Sequence, residues 1–205
     1  DKNGDAYENT FCSSNGKEYY VGDDGQLVRS EWVEDGSDKY FVNSSGAKIT
    51  NDWRLTTPID DETADEEWYY FKSNGKMANS EKLTYKGKTY YFDSEGKMLT
   101  GWQQKDGHWY YFDTSYGGMK TGWLKEGDKW YYLNPNQGGP EGAMISNCWL
   151  TISGKTYFIN QSGVMMEGWY QVSGKWYYFY PGDGSKAVST SIGGFVVDAD
   201  GVWNH

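Results

Sequence analysis

Histidine, cysteine and proline are nearly missing from this chain, which holds 2 His, 2 Cys and 4 Pro in 205 residues. With only His108 and His205 available, neither a His-dependent nucleophile nor a His-rich metal site can be assembled. Cys12 and Cys148 have no CxxC partner and no neighbouring His, so they read as independent structural thiols rather than catalytic ones. Basic residues are also in the minority. The 19 Lys and Arg against 29 Asp and Glu give a net charge of -10, which argues against nucleic acid as a partner and favours a cationic ligand. No apolar run approaches the length of a transmembrane segment. The chain starts at Asp1 without Met and shows no charged, then apolar, then small-residue opening, so it reads as a mature, secreted form whose export signal is gone.

Aromatics and glycine fill the space that aliphatics leave. The 19 Tyr, 11 Trp and 27 Gly sit in a chain whose mean hydropathy is -0.85, a balance that suits aromatic clusters joined by turns better than aliphatic layers. The aromatics recur in a fixed phrase. Trp102 and Trp109, Trp123 and Trp130, and Trp169 and Trp176 each lie seven positions apart. The second Trp opens a Trp-Tyr-Tyr run, and a Gly-plus-Met signature follows, as in Gly118-Met119 and Gly142-Ala143-Met144. A period near twenty residues marks a repeat array.

Each unit reads as two short strands around a turn, for example Gly101–Gln104 and His108–Phe112 about Asp106-Gly107. Side chains alternate along a strand, so Trp109 and Tyr111 share one face and Tyr110 and Phe112 the other. An isolated two-stranded hairpin is marginal in water. The expectation is therefore an all-β solenoid of stacked hairpins forming one elongated domain over residues 1–205, with an atypical repeat in 1–30, regular repeats in 31–186 and a capping hairpin in 187–205. In such an array Cys12 and Cys148 lie too many units apart to form a bridge, unless the array folds back or two chains pair. Units with both tryptophans, including Trp53 with Trp68, stand apart from degenerate ones in which Lys39, Thr89 or Thr156 takes the second Trp position.

Two indoles held across a hairpin and closed by a Tyr of the next unit and a Met form a box poor in hydrogen-bond donors and bases. It suits a quaternary ammonium, which is attracted to several ring faces and needs no hydrogen bond. Methionine adds a polarizable wall. For Trp32 and Trp149, which lack a partner Trp, packing of hairpin on hairpin is the favoured role, and Tyr20, Phe41, Tyr111 and Tyr178 read as core.

The Thr-Gly-Trp, Trp-Tyr-Tyr-Phe and Gly-x-Met phrasing resembles the choline-binding (cell-wall-binding) repeats of streptococcal, pneumococcal-type surface proteins and autolysins, over nearly the whole chain. The resemblance implies a solenoid of choline-binding repeats without a cofactor. Its sites take both Trp of one repeat, a closing Met, and the second Tyr of the following Trp-Tyr-Tyr. Carried over, these are Trp102, Trp109, Met119 and Tyr132; Trp123, Trp130 and Met144 with Phe158 in the tyrosine place; and Trp53, Trp68, Met77 and Tyr91, in a hairpin lengthened from Thr57 to Glu67. Trp169 and Trp176 form a further pair whose closing walls the pattern does not identify.

The implied partner is phosphocholine on teichoic or lipoteichoic acid, bound by several weak sites whose avidity holds a non-enzymatic protein on the bacterial cell surface without a covalent link. A host or bacterial surface protein is a second partner candidate, as for an adhesin or a modulator of wall lytic enzymes. Two other classes compete: a glucan or other carbohydrate-binding repeat protein, and the wall-binding module of a hydrolase whose catalytic part is absent. The acidic run Asp60–Glu67 reads as a solvated loop, with calcium or a protein contact as alternatives. Carboxylates for glycan hydrolysis need a rigid cleft, which one hairpin insertion does not supply.

Overall fold

The structure, a computed structural model, describes residues 7–135 and 138–203, so His205 lies outside the described residues. Packing divides the chain into two compact units, one up to Leu99 and one from Thr100 onward. The first holds four hairpins: β1 (Thr10–Ser14) with β2 (Lys17–Val21), β3 (Glu31–Asp35) with β4 (Asp38–Val42), β5 (Asp52–Thr56) with β6 (Glu67–Phe71), and β7 (Lys82–Tyr85) with β8 (Lys88–Tyr91). The second unit opens with β9 (Gly101–Lys105) and β10 (His108–Phe112), then β11 (Gly122–Glu126) and β12 (Lys129–Leu133). It continues with β13 (Cys148–Ile152) and β14 (Lys155–Ile159), β15 (Gly168–Val172) and β16 (Lys175–Phe179), and ends with β17 (Thr190–Ile192) and β18 (Phe195–Val197). All nine sheets are antiparallel and two-stranded, and no helix occurs among the described residues. The fold is all-β and made of successive hairpins.

Local chemistry fixes each hairpin. Asp106 and Gly107 both take positive φ, 50° and 77°, the signature of a type I′ turn whose twist matches that of the flanking strands. After the second strand an Asn or Asp reverses the chain by binding backbone amides with its own side chain. Asn160 Oδ1, for example, accepts from the N–H of Ser162 and of Val164, each at 2.9 Å. The chain then returns to the strand it has left, where Met165 pairs with Ile159.

The last residue of most second strands is sealed in the interior. Val42, Phe71, Leu133, Ile159 and Phe179 are each 0% exposed. Consecutive hairpins are joined by a recurring backbone rung. In the first unit Met77 N–H donates to Lys39 O (2.8 Å) and Met98 N–H to Trp68 O (2.9 Å). In the second, Met144 N–H donates to Trp109 O (2.7 Å) and Met165 N–H to Trp130 O (2.8 Å). The closing residue of one hairpin therefore reaches back to the hairpin before it. Both cysteines are free thiols, and burial pushes the Cys148 thiol above its ordinary pKa.

Candidate aromatic cage sites

The two tryptophans of a repeat meet because of strand register. Trp123 pairs with Tyr132 and Lys125 with Trp130, so the indoles are diagonal neighbours on one face of the hairpin. Their ring centroids lie 6.3 Å apart at 89°, and those of Trp102 and Trp109 lie 6.5 Å apart at 83°. Each pair forms a right-angled corner. Trp109 is 42% exposed, far more than a residue serving only as core would be.

The third wall comes from the next hairpin, one position earlier than the resemblance implies. Tyr157 lies 5.0 Å from Trp123, and Tyr131 lies 4.9 Å from Trp102. Phe158 stacks instead on Trp149 at 5.0 Å, and Tyr132 on Trp123 of its own hairpin at 5.0 Å. The reason is strand parity: the third residue of the second strand faces away from the second and fourth, and so points at the preceding hairpin. In the first unit the same rule brings Tyr90, rather than Tyr91, to 4.9 Å from Trp53.

The methionine wall is displaced by one repeat for the reason seen in the backbone rung. Trp123, Trp130, Tyr157 and Met165 line one cavity of about 210 Å³, rimmed by Gly182 and Asp183. Met144, assigned to this pair from the sequence, is hydrogen-bonded to the strand of Trp109 instead. Met119, assigned to Trp102 and Trp109, lies against Gly142 of the following loop. Met77 packs with Trp32, Phe41 and Tyr69, whereas Met98 joins Tyr90 and Trp53. Trp123, Trp130, Tyr157 and Met165 thus meet in one cavity, and the same displacement carried to the other pairs groups Trp53, Trp68, Tyr90 and Met98, and Trp102, Trp109, Tyr131 and Met144.

The pair without assigned walls is closed by aromatics alone. Trp169, Trp176, Phe195 and Trp203 line a cavity of about 250 Å³, with Phe195 5.7 Å and Trp203 6.1 Å from Trp169. The ninth hairpin does more than cap. Its Phe195 holds the tyrosine place, and Trp203, whose N–H donates to Trp176 O at 2.9 Å, holds the methionine place. Sequence reading missed both because neither is the expected residue type, although the Phe-to-Trp spacing after the last turn carries the signal.

Charged groups at the Trp123 corner are few: Lys125 Nζ lies 5.9 Å from the Trp130 ring centroid, and Asp183 stands at the cavity rim. Asp183 at the rim of the Trp123 cavity donates no proton at neutral pH. Its carboxylate accepts from Lys155 Nζ at 2.8 Å and from the Ser185 hydroxyl at 2.7 Å, and these bonds hold its pKa down at about 2. No group of three or more His, Cys, Asp or Glu residues is placed to hold a metal ion among the described residues.

The insertion between β5 and β6 has a definite place. Thr57 O accepts a 2.9 Å hydrogen bond from Trp32 Nε1, and Pro58, Ile59 and Asp60 lie over Trp32, Tyr69 and Met77, leaving only about 20 Å³. Glu67 belongs to β6 itself.

Short two-stranded hairpins, linked by backbone rungs and carrying corners of perpendicular indoles, define a class: a β-hairpin repeat module with aromatic cages. The chain belongs to the choline-binding repeat family, whose models match residues 8–48, 62–99, 83–121, 99–149 and 146–191. It is similar to choline binding protein F of Streptococcus pneumoniae, at 34% identity and a TM-score of 0.75 over 92% of this chain and 61% of that one. It is also similar to the modular autolysin LytC of the same organism, solved with a synthetic peptidoglycan ligand, at 29% identity and a TM-score of 0.67 over 91% of this chain and 40% of LytC. A candidate endo-beta-N-acetylglucosaminidase of S. pneumoniae serotype 4 is 30% identical over 80 residues, 39% of this chain. The chain spans about a tenth of that relative's length, the match covering 11% of it.

Proposed function

We propose that this chain binds choline groups, presented as phosphocholine on teichoic or lipoteichoic acid, and so attaches a secreted protein non-covalently to the bacterial cell wall. The observation that carries the reading is the corner of Trp123 and Trp130 closed by Tyr157 and Met165. It offers several ring faces and a thioether to a cation and few groups to a hydroxyl. A sugar ring would require polar partners around its edge, and the wholly apolar lining of the cavity of Trp169, Trp176, Phe195 and Trp203 supplies none.

Four cages belong to this reading, the three sets with methionine and the one closed by Phe195 and Trp203, and the cavities at Trp123 and at Trp169 give it most support. Singly weak sites on one chain gain avidity on a polymer that repeats its ligand. Calorimetric titration with choline beside ethanolamine and glucose tests this. Choline is expected to bind at about four sites, ethanolamine much more weakly and glucose not at all. Absence of choline binding would return the indoles to a packing role.

In this reading the chain performs no catalytic step. A second reading, the wall-targeting part of a hydrolase, is favoured by the similarity to a modular autolysin and by the small share of the glucosaminidase relative that the chain spans. It shares the choline sites and differs only in what they deliver. Release of soluble glycan from purified choline-containing walls incubated with this chain alone would contradict the non-enzymatic reading.

A further inference from the structure

At two junctions the place of the closing methionine belongs to a lysine, and both lysines lie on aromatic rings. Lys48 N–H donates to Glu18 O at 2.8 Å and Lys186 N–H to Thr156 O at 2.7 Å, the same rung that positions Met144 and Met165. Their side-chain stems also use the methionine's seat. A Cβ added at Gly163 or Gly184 would strike Met144 or Met165, one added at Gly75 would strike the stem of Lys48, and one added at Gly201 would strike Ala187 O and crowd the stem of Lys186 at 3.0 Å. The ammonium groups then go where a bound cation would. Lys48 Nζ lies 4.7 Å from the Phe11 centroid and 5.3 Å from that of Tyr40. Lys186 Nζ lies 5.2 Å from Trp149 and 5.8 Å from Tyr177. These rings hold the cage positions: Phe11 and Tyr40 are 5.0 Å apart, Trp149 and Tyr177 4.8 Å, matching the 5.0 Å of Trp123 and Tyr157.

We propose that these junctions are aromatic cages already filled by the protein's own ammonium groups, and that Lys186 masks a latent quaternary-ammonium site built on Trp149 and Tyr177. The remaining partners fit this role. Glu18, in the second-Trp position, forms an ion pair with Lys48, whose side chain is 8% exposed. At the other junction Lys186 Nζ donates to Asp200 O at 2.7 Å, a hydrogen bond a trimethylated nitrogen lacks the proton to make. Each junction has lost the second indole and gained an oxygen partner, the change that converts a site for a poorly hydrated cation into one for a primary ammonium. Another junction without a second Trp, at Trp32, is closed differently: the insertion covers it, and Lys39 lies beside Asp60 at 3.6 Å.

The masking half rests on the choline reading of the open cages; the self-filling half does not. Two measurements on the full chain separate them. In ¹H–¹³C spectra without choline, the ε-methylene protons of Lys48 and Lys186 are expected well upfield of those of the exposed Lys88 and Lys129, through ring currents. Ordinary shifts for both would overturn the self-filled cage. In calorimetry, the double variant Thr156→Trp, Lys186→Met is expected to bind one choline more than the wild type, and an unchanged count would overturn the masking. Should the double variant not fold, Lys186→Ala serves instead, with choline expected to quench Trp149 fluorescence that it leaves untouched in the wild type. If the wild type binds no choline, the reading of the open cages fails, and with it the latent site, while the lysine shifts still decide the self-filled cage.

Discussion

Replacing Trp130 by Ala removes one of the two perpendicular indoles at the cavity of Trp123, Tyr157 and Met165 while leaving the hairpin's sealed residues in place. The cation then loses one ring face of a half-open site. Cation–π attraction amounts to roughly 0.5–1 kcal/mol when exposed and about 2 kcal/mol when desolvated. A loss of about 1–2 kcal/mol is therefore expected, or roughly a 5- to 30-fold weaker affinity at that site. Calorimetry at choline concentrations that just saturate the wild type would read this as a fall of one in the site count.

The matched control is Trp149→Ala. Trp149 is more exposed than Trp130, at 39%, and stacks on Tyr177 at 4.8 Å as Trp123 does on Tyr157 at 5.0 Å, but Lys186 lies on its ring. Its loss should leave the choline count unchanged. Equal loss from the two variants would refute the division into open and filled junctions, because it would mean that an aromatic stack alone suffices for binding. A fall in count after Trp149→Ala with none after Trp130→Ala would refute the assignment of walls as well.

Gly163→Ala places a methyl group against Met144 at a residue whose φ is +79°. A cost of about 1–3 kcal/mol is expected, together with weaker choline binding at Trp102 and Trp109, read by thermal melting with and without choline. Ile159→Ala empties a fully sealed position and should cost about 2–5 kcal/mol in denaturant unfolding, with the remaining cages still able to bind. Asp183 has its pKa depressed from the ordinary 3.8 to about 2. The stability it contributes is present above the ordinary 3.8 and is lost as pH falls through about 2; Asp183→Asn should lower the melting temperature by a constant amount above about pH 5 and flatten the profile below about pH 4.

Hairpin positions were legible because every signal for them is local. Asp106-Gly107 names its own turn, and the Trp-Tyr-Tyr run names its own strand. The pairing of indoles was legible for the same reason, since Trp102 and Trp109 sit seven apart about a two-residue turn. The other walls were not, because they depend on which hairpin face meets the neighbour. The alternation that separates Trp109 and Tyr111 from Tyr110 and Phe112 already contained the answer for Tyr131 and Tyr157, but it decides a face only once the direction of stacking is known. The methionine requires a further fact that no single repeat contains: its backbone rung runs to the preceding hairpin. The Gly-x-Met signature looks local and acts at a distance, its glycine clearing room for the methionine of the repeat before.

That pairing of glycine with the previous repeat's closing residue gives the open and filled junctions a common origin. The seat cleared by Gly163 or Gly184 holds a methionine, and the equivalent seat at Gly75 or Gly201 holds the stem of a lysine. What the seat does then depends on the residue at the second position of the second strand. An indole there, as in Trp109 or Trp130, completes a corner that methionine closes without hydrogen-bonding to anything in it. An oxygen-bearing residue, as in Glu18 or Thr156, removes the corner, and the stack of Phe11 on Tyr40 or Trp149 on Tyr177 is left with ring faces that attract a cation and too few walls to hold a mobile one. Lysine brings the cation covalently, so the junction keeps its cation–π attraction without any ligand. Junctions of the first kind should gain stability from choline and those of the second should not. Local hydrogen exchange of the Tyr157 and Tyr40 strands, measured with and without choline, is therefore expected to slow at Tyr157 and stay constant at Tyr40, whose strand carries no wall of an open cage; equal protection of both strands by choline would contradict the scheme.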